Sequence, residues 1–163
     1  MLALRSILFA VLLPGTVTVV VPYLIVHRDA VARFEHGSLW HWLGLLPISV
    51  GAVVLFWCIW DFAVAGRGTL APVDPPRQLV ARGLYRYVRN PMYVGVVSIL
   101  LGESLLFESF PLLAYTIMCF VAAHCFVVLY EEPVLRQKFG ESYQAYCRRV
   151  HRWRPQPPRG SAV

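Results

Sequence analysis

Apolar residues in this chain fall into long blocks, and polar residues collect in the stretches between them. A helical block of about 20 apolar residues matches the hydrocarbon core of a bilayer. The pattern predicts four such helices: Ile7 to Val26, Leu39 to Val64, Pro91 to Phe107 and Phe110 to Tyr130. Pro14 and Pro22 interrupt the first, for which a signal peptide is the competing reading, since Arg5 precedes an apolar core. No small-residue cleavage site follows cleanly, so a span is expected. Trp40, Trp42, Trp57 and Trp60 lie near the ends of the second block, where interfacial aromatics belong. The third is short, which predicts a tilt or incomplete crossing. The Glu108-Ser109 link makes the third and fourth an antiparallel hairpin.

Beyond Pro133, Leu135, Phe139, Tyr143, Tyr146 and Val150 recur every third or fourth residue, with Arg and Lys on the other faces. That periodicity predicts an amphipathic helix at the membrane interface, interrupted at Gly140. The expected fold is all-α: a polytopic integral membrane protein with about four transmembrane helices and a C-terminal interfacial helix. One membrane domain is expected over 1–163, with two spans in 1–64 and a flexible tail at 156–163.

Composition agrees with this pattern. The chain is 58% hydrophobic, with a mean hydropathy of +0.57, above the range of soluble domains. Four spans place all of the 15 Lys and Arg except Arg28 and Arg33 on one side. The positive-inside rule makes that side cytoplasmic. The net charge of +6 then reflects orientation and anionic headgroups. Nucleic-acid binding is excluded, because no soluble reading domain is present. Cys58, Cys119, Cys125 and Cys147 lack the spacing of a zinc or redox motif, so no metal is expected.

Candidate chemistry lies at the block edges. Residues 83–95 set Tyr85, Arg86, Arg89 and Tyr93 around Asn90-Pro91, at the mouth of the third block. Proline suits the first helical position and asparagine the cap before it. The free N–H groups of such an end attract anions, and Arg89 adds a carboxylate-matching fork. The loop before it is restrained by Pro72, Pro75 and Pro76. Glu131 and Glu132 follow the fourth block and return to the same face. They either neutralise nearby arginines or hold an ammonium, ribose hydroxyls or a sulfonium. His124, Val127 and Glu131 share a helical face by spacing. Gly95, Ser98 and Gly102 form a small-residue stripe suited to close helix packing. Glu103, beyond the middle of the third block, reads as a structural carboxyl or a substrate group.

The segments GLYRYVRNPMYVG and EEPVLRQKFGESYQAYCRRV, about 35 residues apart, resemble the isoprenylcysteine carboxyl methyltransferase family and its phospholipid methyltransferase relatives. The resemblance covers residues 66–155 and makes 65–155 the methyltransferase core. It implies a membrane enzyme that transfers a methyl group from S-adenosylmethionine to a lipophilic, membrane-embedded acceptor. Carried over by position, the cofactor contacts are Arg77, Gln78, Leu79, Val80, Tyr85, Asn90, Pro91, Met92, Tyr93 and Glu131. Arg89 matches the motif arginine and is expected to orient an anion. His124 is the candidate proton acceptor if the acceptor is an amine or thiol. Arg86, Val127 and Glu132 are the candidate substrate-binding residues.

Two positions depart from the family pattern. Asn90 replaces the usual histidine, and Val127 stands where the prenylcysteine enzymes carry an arginine for the substrate carboxylate. Arg89 or Arg86 is then left to supply that clamp. The expected partners are the bilayer and a lipid or lipophilic small molecule. Two rivals remain: N-methylation of a phosphatidylethanolamine-type headgroup, and a non-catalytic four-span protein that binds anionic lipid.

Overall fold

The computed structural model describes residues 12–26, 39–65 and 82–157. All regular structure among them is helical. Helix α1 is Leu12–Val26, α2 is Leu39–Ala65, α3 is Pro91–Leu106 and α4 is Phe110–Phe126. A wider turn, Val127–Glu131, leads into α5, Glu132–Arg149. A short 3-10 turn, Gly83–Arg86, precedes α3.

Helix starts follow their local chemistry. Pro91 opens α3 and Pro111 falls in the first turn of α4, where a missing N–H costs nothing. The Ser109 hydroxyl accepts the Leu112 N–H at 3.4 Å and caps α4. Gly140 leaves helical geometry with φ 51°, so the expected interruption of the amphipathic helix is present there.

Two prolines act alike inside the helices. Pro22 and Pro133 have no N–H to give the carbonyl four residues back. In each case the turn before the proline widens to i→i−5 pairing: the Val21 N–H reaches the Thr16 carbonyl, and the Glu132 N–H reaches the Val127 carbonyl. Such π turns are a low-cost way to pass a defect in the helix ladder. Pro22 also deprives the Val17 carbonyl of its wide-turn partner, and the Tyr115 hydroxyl of α4 supplies a hydrogen bond at 3.3 Å.

Helices α2 and α3 make the most extensive contact of the described elements, and glycines set its closeness. A Cβ on Gly51 would lie 2.5 Å from the Gly95 carbonyl oxygen, and one on Gly102 2.5 Å from that of Gly44. Gly95 and Gly102 therefore allow close packing, as the stripe predicts, with Gly44 and Gly51 as its counterpart. On the hairpin, the Ser104 and Thr116 hydroxyls meet at 3.1 Å.

The outer faces stay apolar: Leu46, Val53, Phe56, Met118 and Val121 are exposed. Helices at His41–Asp61 and Phe110–Arg149 are long and apolar enough to cross a bilayer, while Leu12–Val26 and Pro91–Leu106 are shorter apolar helices. The molecule is a helical membrane protein.

Candidate functional site

The site forms where the start of α3 meets the junction of α4 and α5. Glu132 is at its centre, only 4% exposed. Arg152 donates to it through Nε at 2.6 Å and Nη2 at 3.0 Å, a bidentate fork. Arg89 Nη1 lies 3.1 Å from the same carboxylate, and Arg136 Nη2 lies 3.5 Å away from the next helical turn. Burial alone would raise the Glu132 carboxyl pKa. The Arg152 hydrogen bonds and three guanidinium charges outweigh it and hold the group below the ordinary carboxylate value. The residue lies past Tyr130, where the apolar run ends.

Glu131 differs from its neighbour. It accepts one long hydrogen bond, from the Tyr93 hydroxyl at 3.4 Å, and no cation is paired with it among the described residues. Arg89 is likewise incompletely matched. Its Nη1 reaches Glu132 and donates to Cys147 Sγ at 2.8 Å, but its buried Nε has no acceptor among the described residues. Asp61, at the C-terminal end of α2, has a buried Oδ2 without a hydrogen-bond donor among the described residues. This oxygen faces Gly83, whose φ of +56° and lack of a side chain leave room for it.

A strap formed by residues 150–157 closes this region. The Arg89 N–H donates to the His151 carbonyl at 2.9 Å, and the Gln156 N–H donates to the Tyr87 carbonyl at 3.0 Å. Asn90 Nδ2 donates to the Arg152 carbonyl at 3.2 Å. The Trp153 indole N–H donates to His124 Nδ1 at 3.1 Å. The Trp153 ring lies 5.3 Å from Phe120 and 6.4 Å from Tyr93, edge-on to both. Tyr146 fixes the preceding turn through its hydroxyl, 2.7 Å from the Tyr85 carbonyl. Gln156, expected in the tail, is thus anchored.

The two sequence segments therefore meet, but several roles differ from expectation. The Asn90 side chain does not cap α3: it makes no cap bond, and the backbone at Asn90 has φ −123°, ψ 57°. The proline after it disfavours helical backbone, and its amide is engaged by the strap. Glu132, a candidate substrate-binding residue, has Arg89, Arg136 and Arg152 around its carboxylate. These contacts fit the neutralising alternative for the acid pair. Val127 is 1% exposed and packs in the protein interior. Its face is not shared with Glu131 in simple α register, since the wide turn intervenes. Arg86 is exposed at the end of the 3-10 turn, and Pro91 is fully buried at the start of α3. Met92 is half-buried in the same first turn. Arg77, Gln78, Leu79 and Val80 lie outside the described residues.

Sequence reasoning missed Arg152, Trp153 and Asp61. A lone acid at the end of an apolar helix signalled Asp61. An Arg-Trp pair directly after an amphipathic helix signalled the strap.

A model of a phospholipid methyltransferase family matches residues 39–142. The chain belongs to that family. Similar curated proteins are the probable protein-S-isoprenylcysteine O-methyltransferases of Oryza sativa subsp. indica and subsp. japonica. Each is 27% identical over 117 residues, or 68% of this chain. The chain spans 58% of the length of these relatives. No solved structure matches it significantly.

Proposed function

We propose that this family member is an S-adenosylmethionine-dependent methyltransferase, acting on a lipophilic acceptor held in the membrane. It crosses the bilayer several times and turns the site toward the cytoplasm, as the distribution of Lys and Arg supports. The observation that carries this reading is two unmet groups among the described residues: a half-buried acid without a cation at Glu131 and a buried donor without an acceptor at Arg89 Nε. A zwitterionic amino-acid end supplies what both lack, and S-adenosylmethionine carries one. Its sulfonium would provide the activated methyl group.

The protein's own contribution is binding and exclusion of water. Glu131 and Tyr93 would hold the ammonium end, and Arg89 the carboxylate end. Glu132 keeps Arg89 in place, and the strap covers the start of α3. The exposed apolar faces of the helices leave the acceptor's chain in lipid.

The acceptor is not clamped at position 127, since Val127 is buried and apolar. A phospholipid headgroup is favoured as a second reading by the family model. Purified protein in detergent is expected to be thermally stabilised by S-adenosylhomocysteine. Glu131→Gln is expected to lose that stabilisation while still folding. Absence of any shift with wild-type protein would favour a lipid-binding scaffold instead.

A further inference from the structure

The His124–Trp153 contact carries a chemical consequence. A ring nitrogen that accepts a hydrogen bond holds no proton, and a neutral imidazole has one such nitrogen. In His124 that nitrogen is Nδ1, facing the Trp153 indole N–H at 3.1 Å. The proton of the neutral ring then sits on Nε2. An indole N–H can only donate, so a proton arriving at Nδ1 would set two donors against each other.

The strap gives Trp153 little freedom to yield. The neighbouring Arg152 is held by Glu132 through two hydrogen bonds and by Asn90 through its carbonyl. Trp153 itself packs against Phe120, His124 and Tyr93. Tyr93 is the donor to Glu131, so one indole borders both the histidine and the tyrosine that donates to the acid.

We propose that Trp153 is a positioning residue that occupies the basic nitrogen of His124, so this ring brings an N–H, not a base, to the site. Its part in methyl transfer rests on the function proposed above. An acceptor that arrives with a proton to lose has to lose it elsewhere.

The test uses full-length protein in micelles, labelled with 15N at histidine and tryptophan, with His124→Gln identifying the His124 signals. Wild-type His124 is expected to show a protonated Nε2 and a bare Nδ1, with slow exchange of the Trp153 indole proton. Trp153→Phe keeps an aromatic ring and removes the donor, and is expected to give mixed tautomers. A protonated Nδ1 in the wild type, or rapid indole exchange, overturns the proposal without any variant. An unchanged single tautomer in folded Trp153→Phe also overturns it. S-adenosylhomocysteine stabilisation is read on the same samples. Its absence removes the methyltransferase reading and leaves the pairing standing; a wrong tautomer with intact binding removes the pairing alone.

Discussion

Glu132 and Arg152 form a bidentate pair, 2.6 and 3.0 Å, that ties the strap to the junction of α4 and α5. Arg89 joins the same carboxylate from the start of α3. One buried acid therefore holds three parts of the chain in register. Removing one partner of a buried ion pair costs about 3–5 kcal/mol, because the remaining charges lose their compensation. Glu132→Gln is expected to lower the melting temperature in detergent by several degrees, whether or not ligand is present. A melt within about 1 °C of wild type would show that the cluster holds nothing together.

The same carboxylate sets an acid limit. Its folded pKa lies below its ordinary value of 4.5, so the native state binds this proton less readily than the unfolded chain. The stabilisation is fully present above that ordinary value and is lost as pH falls through the lower folded one. Melting temperature measured against pH is expected to drop on the acid side in wild type. The drop should be shallower in Glu132→Gln, which has no proton to take up there.

Glycine contacts between α2 and α3 make a separate prediction. A Cβ at Gly102 would meet the Gly44 carbonyl oxygen at 2.5 Å and the Ile48 nitrogen at 2.8 Å, both backbone atoms that cannot swing aside. Gly102→Ala is expected to destabilise by about 1–3 kcal/mol through overpacking. Gly15 has nothing within 4 Å of such a Cβ, so Gly15→Ala is the matched control and is expected to melt at or above the wild-type temperature. Equal effects of the two substitutions would contradict a close helix crossing.

Much of this architecture is legible in the sequence because it depends on local signals. Pro91 and Pro111 mark helix starts, apolar runs mark helix lengths, and glycine spacing marks the α3 face that packs. The site is legible only in part. Its halves are visible as Arg89 and the Glu131-Glu132 pair, but the division of labour between the two acids is not. That division depends on Arg152, which lies 20 residues along the chain from Glu132 and in a segment without periodicity. The strap is held largely through backbone carbonyls and N–H groups, which every residue carries, so residue types alone do not announce it. Asn90 reads as a cap from its neighbours, and its tertiary partner overrides that preference.

Ligand binding separates Glu131 from Glu132. Glu131 has one hydrogen bond, from Tyr93 at 3.4 Å, and Gln at this position keeps the shape while removing the charge. If it holds the ammonium end of an amino-acid ligand, the loss is that of a charged hydrogen bond, about 1.5–3 kcal/mol. Calorimetry with S-adenosylhomocysteine is then expected to show affinity about 10- to 150-fold weaker in Glu131→Gln. Tyr93→Phe removes a neutral donor that only orients the acid, and a loss of about 2- to 10-fold is expected. Neither change should lower the melting temperature of ligand-free protein much, because Glu131 has no cationic partner among the described residues to lose. A Glu131→Gln protein that binds as wild type, with Tyr93→Phe equally unaffected, would move the ammonium site away from this junction and leave Asp61, with its buried Oδ2, as the next acid to test.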